Sequence, residues 1–579
     1  VPRTNRELAA AFRELADLME ITGAERFRIL AYRRAAETIS RLGVDVGTLS
    51  DKELTSLRGV GVATAKKIRE FLETGRMEKL DELRLVVPAG VRELTSLAGL
   101  GPKKAMLLHA ELGISTLDDL REAIEKQRVR AVRGLGTKTE ENLQKALAQY
   151  SVEERRILLG VALRTAEEIV AALSEFKAIK RVSYAGSLRR MRETIGDIDL
   201  LAASPDPPKV MDAFTSLSGM LRVIARGPTK SSVVTREGIQ VDLRVVAPDE
   251  FGAALQYFTG SKEHNVKVRE HAVKMGLKLS EYGLFKVGSG ERIAAQTEEE
   301  VYGALGMQTP PPTMREDRGE VELALSGELP SPIELRDIKG DLQGHSRYSD
   351  GRETIADMAR AAAEVGYKYW AVTDHGQQLA VVNHLTSDDI DRQAAEVAEV
   401  NRSLAGKITV LHGVELNISP SGELDYPDEV LRKFDVVVAS VHSPPWDRDG
   451  MTRRIIRAIE NPNVHIIGHP TGRRIGKRAG GEFDLVKVFK AAVSCGVAME
   501  VNSNQERLDL RDDHVRIARE LGCLFAIDTD AHRFSELDFM RLGVYTAQRG
   551  WVTKESVINA WPLSKLRRFL DKDRSSALR

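Results

Sequence analysis

From residue 341 onward the chain alternates seven times between an apolar run of strand length and a helical stretch. The runs are "DLQGHS", "YWAVTDH", "ITVLHGVEL", "DVVVASVHS", "VHIIGHP", "VAMEVNS" and "CLFAIDTDAH". Helices such as "TIADMARAAAEVGY" and "DLVKVFKAAVSCG" lie between them. Strands separated by helices pair in parallel, so this rhythm restricts 339–579 to a parallel sheet or a barrel. In a parallel barrel the chemistry gathers at the C-terminal ends of the strands.

Chemistry-bearing residues crowd those ends. The chain has 12 histidines, and nine of them lie between His345 and His532. Gln343, His345, Asp350, His375, Glu415, His442, His469, Asp530 and His532 stand at or just past the ends of the apolar runs. Mixed imidazole and carboxylate donors suit Mn²⁺, Zn²⁺ or Fe. That many candidate ligands point to a multi-metal hydrolytic site rather than one structural ion. His384, His412, His465 and His514 fit no motif and are read as structural. The set "DLQGHSRYSDG", "TDH", "GVEL", "SVHS", "GHP" and "TDAH" resembles the PHP phosphoesterase domain, from 341 to about 570. The resemblance implies a distorted seven-stranded β/α barrel around three metal ions. Gln343 stands where many members carry histidine, and the weaker amide ligand implies that one ion is held loosely.

A second cluster lies upstream, in "YAGSLRRMRETIGDIDLLAAS". Side chains alternate faces along a strand, so Asp197 and Asp199 share a face while Ile198 and Leu200 turn inward. Asp242 sits in a similar run, "IQVDLRVV". Two such strands side by side bring three carboxylates together. Clustered acids repel unless a cation intervenes, and hard oxygen ligands suit Mg²⁺ or Mn²⁺. A two-ion site of this kind serves phosphoryl transfer. The turn "GSLRR" offers backbone N–H groups, Ser187 and Arg190 to phosphate oxygens. Gly186, Ser187, Arg190, the "DID" and Asp242 resemble the nucleotidyltransferase palm of family X DNA polymerases. "LQYFTGSKEHNVKVREHA", 255–272, resembles that family's nucleotide-binding segment. The resemblance implies that Tyr257 and Phe258 face the incoming sugar and that Gly260-Ser261 form a tight, often cis, turn. It implies that Asn265 bonds the base edge and that Arg269 touches the template. Met191 and Lys262 depart from the pattern, and Lys262 is placed to contact the triphosphate.

The first 150 residues read as short helices with an internal repeat. "LTSLRGVGVATAKKIREFL", "LTSLAGLGPKKAMLLHAEL" and "RAVRGLGTKTEENLQKAL" each place Gly-x-Gly between helices, with first glycines Gly59, Gly99 and Gly134. A helix start after a glycine turn presents free N–H groups to an anion. Gly59, Gly61, Lys66 and Lys67, then Gly99, Gly101, Lys103 and Lys104, look like helix-hairpin-helix motifs, which grip DNA backbone without reading sequence. The third repeat is poorer in lysine. Residues 5–85 resemble the small N-terminal domain of family X polymerases, where a lysine at the position of Lys67 can form a Schiff base. Arg28 replaces a common phosphate-binding lysine, so backbone or 5′-phosphate binding is the expectation for this segment.

Lys+Arg and Asp+Glu both number 85, so basic DNA-binding patches must be offset by acidic sites. Cys495 and Cys523 lie in apolar segments, and the N-terminus lacks a signal-peptide pattern. Together these lead to an expectation of six segments in a multidomain α+β and α/β chain. They are a helical DNA-end-binding domain (1–85), fingers with helix-hairpin-helix motifs (86–150), a palm (151–255), a thumb (256–315), a proline- and charge-rich linker (316–338) and the barrel (339–579). The whole resembles a bacterial family X DNA polymerase fused to a PHP domain. The resemblance implies gap filling on gapped or nicked DNA with dNTPs, 3′-5′ exonuclease or 3′-end processing in the barrel, and abasic-site cleavage as an added activity. A monomeric, cytoplasmic, nucleoid-associated protein is expected, with no membrane partner. Three rivals are a template-independent nucleotidyltransferase, a phosphoesterase whose polymerase half only binds DNA, and a barrel that is a structural scaffold, which loss of its ligands would signal. The repeats and "YFTGS" argue against the first, and the intact aspartates against the second.

Overall fold

The structure, a computed structural model, describes residues 3–571 apart from 23, 25, 42–45, 58, 87–93, 95–99, 154–155, 237, 378–383 and 444–446. It divides into two bodies, 1–155 and 156–579. No helix among the described residues is long and apolar enough to cross a membrane.

The first body is helical. Arg3–Ile21 and Arg26–Arg41 pack along one another, burying Phe12, Leu15, Ala35 and Ile39. Val62–Thr74 and Pro102–Leu112 each start at a glycine N-cap, Gly61 and Gly101, with no side chain bonded to the first turn. Their leading N–H groups therefore remain available as anion donors. Gly59 has φ +84°, and a Cβ there would lie 2.9 Å from Cβ of Arg34, so the first turn admits only glycine. Lys66 and Lys104 are exposed, while Lys67 is half-buried with Nζ 3.9 Å from Glu70. Gly99 and the side chain of Lys103 lie outside the described residues.

The second body holds a palm, a thumb and a barrel. The palm sheet has five strands in the spatial order 181–184, 198–203, 240–246, 230–235, 220–226. Helix Leu159–Ser174 covers it through Leu159, Ala162, Leu163 and Ala166. The edge strand Met220–Arg226 is exposed along nearly its whole length, which is why no alternating apolar pattern announced it. Thumb helices Phe251–Thr259 and Lys262–Lys274 meet at Gly260-Ser261, whose peptide bond is cis.

The barrel strands are Gly340–Asp341, Tyr369–Val372, Thr409–Asn417, Val436–Ser440, Ile466–Gly468, Ala498–Asn502 and Phe525–Asp528, all parallel and in chain order. They are buried on both faces, as parallel strands require, so they read as continuous apolar runs. Tyr369 and Ala371 point into the barrel, and Trp370 and Val372 pack outward against helices. Helix Leu563–Leu570 plugs the N-terminal mouth with Leu566, Phe569 and Leu570. First and last strands are tied at the seam: the Leu342 N–H donates to Asp528 (2.9 Å) and the Thr529 N–H to Asp341 (3.1 Å).

The stretch 316–338, expected as a linker, is packed structure. Glu320–Ser326 is helical, Glu320 is fully buried with its Oε1 2.7 Å from Nδ1 of His264, and the Ile333 N–H donates to the Val552 carbonyl. Charged residues with buried partners look, in sequence, like solvated ones. Palm and barrel also touch directly: Leu508 and Leu542 of the barrel belong to the palm's core. Arg473 pairs with Glu193 at 2.7 Å, and Arg541 pairs with Glu167 at 2.9 Å. Of the two cysteines in apolar segments, Cys523 is buried and Cys495 only half-buried.

Leu542 is 2% exposed within this shared core. Leu542→Ala is expected to cost about 2–5 kcal/mol through reduced burial and a cavity. The described tryptophans all lie in the barrel. Urea titration followed by tryptophan fluorescence and by nucleotide addition should give one lowered midpoint. Two separate midpoints would mean that palm and barrel unfold independently.

Candidate active sites

The palm cluster follows from strand register. Ile198–Ala203 and Gln240–Val246 run parallel with Asp199 directly opposite Asp242. Asp197 immediately precedes the first of these strands. Ala185 donates its N–H to the Asp199 carbonyl, which brings the turn 185–189 over the acids. Gly186 has φ +57°, and a Cβ on it would fall 2.2 Å from Oδ2 of Asp199. Only glycine lets the backbone come this close to the carboxylate.

Electrostatics mark the cluster as built for a cation. Burial, then Asp197 and Asp242, push the Asp199 carboxyl up to about 7. Burial and the Asp242 charge also raise Asp197. Lys230, which sequence reasoning missed, places Nζ 2.7 Å from Asp242 Oδ2, and Gln240 donates to the other oxygen (3.1 Å). Lys230 is two positions from Ser232, the residue paired with Asp242, so the strand period puts it on the same face. Among the described residues, donor sets lying within 4.8 Å of one another occur in the barrel and not in the palm.

The predicted nucleotide segment lies beside the turn. Arg190 donates from Nη1 to the Thr259 carbonyl (2.6 Å), and its Nε sits 3.1 Å from Glu316. Its neighbour Arg189, left out of the predicted set, pairs with buried Glu298 at 2.6 Å. Tyr257 and Phe258 meet edge to face; Arg269 lies over the first ring and Arg244 over the second. Ser261 caps helix Lys262–Lys274, and Lys262 is exposed. Asn265 is buried, donating to the Tyr257 carbonyl (2.7 Å) and accepting from Gln256 (2.8 Å). Both of its amide functions are therefore engaged within the protein.

In the barrel the predicted ligands converge on Glu415. One of its oxygens lies 3.0 Å from His469 Nε2 and 3.3 Å from His442 Nε2; the other lies 3.3 Å from His375 Nδ1 and 3.5 Å from His345 Nε2. His345 Nε2 is also 3.1 Å from Asp530, and Asp350 reaches His375 (3.5 Å) and His532 (3.3 Å). Three overlapping groups emerge: His345, Asp350, His375, His532; His375, Glu415, His442; and His345, Glu415, Asp530. Gln343 is fully buried with both amide atoms unbonded, as are both oxygens of Glu415 and Nδ1 of His345, His375, His442 and His469. Buried polar atoms left without hydrogen bonds are costly, and a set of such donors fits divalent cations. Burial opposes charge on His532, yet Asp350 and Asp530 lift it to about 10, so a cation entering there replaces a proton. His412 and His465 bond within the fold, whereas His384 is exposed. Sequence reasoning missed Glu500, whose carboxyl is raised well above its usual range by burial and by Asp528, and Arg507, 3.5 Å from Asp530. An acid inside the apolar run "VAMEVNS" was the available signal for the first.

The raised Asp199 carboxyl has a pH consequence. Its folded value of about 7 exceeds the 3.8 of an ordinary aspartate, so between these limits the folded chain binds more protons than the unfolded one. Without divalent cation, that contribution to stability falls as pH rises from about 4 to 7. Asp199→Asn should therefore stabilise the EDTA-treated protein at pH 8, by on the order of 2–4 kcal/mol, with the gain shrinking toward pH 4. Urea midpoints at both pH values check it; a gain independent of pH would remove Asp199 as the titrating group.

Four family models match segments of the chain: a helix-hairpin-helix domain over 3–77, a SAM-like helix-hairpin-helix tandem over 91–149, the DNA polymerase beta thumb over 254–316 and the PHP domain over 341–470. Over 563 residues the chain is 40% identical to the DNA polymerase/3′-5′ exonuclease PolX of Bacillus subtilis (strain 168), covering 96% of this chain and 98% of that protein. It is 28% identical over 333 residues to DNA polymerase lambda of Rattus norvegicus, covering 52% and 54%. It is also 30% identical over 228 residues to a probable phosphatase of Thermoanaerobacter sp. (strain X514), covering 38% of this chain and 87% of that one. With helix-hairpin-helix, thumb and PHP segments in one order and a full-length relative at this identity, the chain belongs to the PolX group of family X DNA polymerases.

Proposed function

We propose that this polymerase fills short gaps during DNA repair, and that its barrel trims 3′ ends as a 3′-5′ exonuclease or 3′-end phosphoesterase and cuts abasic sites. The observation that carries the reading is one body holding two separate donor clusters, one at Asp199 opposite Asp242 and one around Glu415. Asp197, Asp199 and Asp242 are assigned Mg²⁺ or Mn²⁺. Gln343, His345, Asp350, His375, Glu415, His442, His469, Asp530 and His532 are assigned three ions of Mn²⁺, Zn²⁺ or Fe. Bound ions supply Lewis-acid charge neutralisation at both centres.

The chain's own residues do the positioning. Gly186 and Ser187 offer backbone N–H groups to the triphosphate, and Arg190 and the exposed Lys262 offer charge. Tyr257 and Phe258 present ring surfaces to the sugar. Asn265 reads the base edge by exchanging one of its internal bonds, and Arg269 meets the template strand. Lys230 holds Asp242 as a fixed counter-charge. The open helix starts after Gly59-Val60-Gly61 and at Gly101, with Lys66, Lys67, Lys103 and Lys104, hold the DNA backbone. Lys67 is assigned to phosphate contact rather than Schiff-base chemistry. The setting is the bacterial cytoplasm, on nucleoid DNA, as a monomer.

Asp242→Ala should lower nucleotide addition on a gapped duplex by ~10²–10³, by analogy with removal of one charge-stabilising group, and spare 3′ degradation. His442→Ala should do the reverse and bind less metal by elemental analysis. Loss of both activities in either variant would overturn the two-centre reading. Replacing Lys66, Lys67, Lys103 and Lys104 by Ala should weaken binding to all sequences alike and flatten the salt dependence, by about 0.9 in log–log slope for each phosphate no longer neutralised. An unchanged slope would return the glycine turns to a packing role.

A further inference from the structure

A single barrel arginine reaches the back of the palm's proposed triphosphate site. Arg549 ends the helix Met540–Arg549, which packs on the turn Pro312–Met314, and is 4% exposed. Its Nη1 donates to the Arg190 carbonyl (2.6 Å) and to Glu316 Oε1 (2.9 Å), and its Nη2 to Asp512 Oδ2 (2.8 Å). The same Glu316 oxygen accepts from Arg190 Nε at 3.1 Å. Arg190 Nη1 then reaches the Thr259 carbonyl, immediately before Gly260-Ser261, and the Ser261 N–H donates to the carbonyl of Arg315, next to Glu316. A continuous path of largely buried to half-buried polar contacts thus runs from the barrel helix to both proposed triphosphate-binding elements.

Among the described residues, Arg190, Arg192, Arg318 and Arg549 share the carboxylates of Glu316 and Asp512, and the Arg190 charge also acts on Asp199. Although burial opposes it, these guanidiniums hold both carboxyls below their usual range, so the acids remain charged partners within the network. A planar guanidinium can serve three acceptors at once, which a lysine ammonium on a shorter reach cannot do with the same geometry. Glu316 and Asp512 also have other partners, but among the described residues only Arg549 bonds both of them and the Arg190 main chain.

We infer that Arg549 is a positioning residue for nucleotide addition: a barrel side chain that fixes the main chain and guanidinium of Arg190 for the incoming triphosphate. The inference rests on the assignment of Arg190 proposed above. Arg549 touches no proposed barrel ligand, so the nuclease rate serves as an internal test of folding.

The experiment compares Arg549→Lys, Arg549→Ala, Arg190→Ala and the double variant Arg190→Ala/Arg549→Lys in the full chain. KM and kcat for dNTP on a gapped duplex are measured together with 3′ degradation. Arg549→Lys keeps the charge and protects the fold. It should raise KM for dNTP on the order of tenfold, the scale of one charge-assisted hydrogen bond, with kcat and nuclease rate little changed. The double variant should be no worse than Arg190→Ala, because both changes act through one group. Wild-type KM in Arg549→Lys alongside raised KM in Arg190→Ala would sink the inference alone. Unchanged KM in Arg190→Ala would instead sink the assignment of Arg190. Multiplying effects in the double variant, or loss of both activities in Arg549→Lys, would make Arg549 a general structural support and overturn the proposal.

Discussion

Like-charge repulsion between crowded acids is the constraint that the second body has to satisfy. Asp197, Asp199 and Asp242 share one end of the palm sheet, and Glu415, Asp350 and Asp530 share one end of the barrel. Parallel pairing makes such crowding possible, because it sets residues of neighbouring strands at one level without a hairpin turn to soften the approach. In both places the protein then supplies positive or polar neighbours on fixed backbone. Lys230 faces Asp242, and four imidazoles surround Glu415. The barrel goes further and uses acids as seam ties, with Asp341 and Asp528 each accepting backbone N–H groups across the closure.

The two centres are not independent modules on a string. Leu508 and Leu542 complete the palm's core from the barrel side, and ion pairs at Arg473, Arg541 and Arg549 stitch the same boundary. Hydrophobic burial gives this boundary its strength, and the guanidinium–carboxylate geometry, most enclosed at Arg549 and Glu316, favours one arrangement. A chain that builds and removes DNA thus holds both tasks in one rigidly packed unit.

Much of this was legible in the sequence, for physical reasons that differ by region. The seven barrel strands are buried on both faces, so their apolar runs could hardly be missed, and the ligands stand at their ends. Asp242 sits in a strand of strict alternation, Asp199 interrupts an otherwise apolar one, and the register places them opposite each other. What stayed hidden depends on partners far away in the chain. Glu316 and Glu320 read as linker charge until Arg549, Arg190 and His264 are seen beside them. The strand Met220–Arg226 carries no buried face to betray it. Lys230, Glu500 and Arg507 matter through proximity that only the folded sheet creates.

The plug at the foot of the barrel has a temporal meaning. Tyr369, Leu411, Val438 and Ile466 face a cavity that is filled only when Leu566, Phe569 and Leu570 arrive from the far end of the chain. His465 even bonds the carbonyl of Leu570. Domains fold as units while synthesis proceeds from the N-terminus. The helical body and most of the palm can therefore settle while the barrel is still an open, unfilled sheet. Because the strand Phe525–Asp528 and the helix Leu563–Leu570 follow every other barrel strand in the chain, the barrel core closes only after the palm strands and the first six barrel strands have been made.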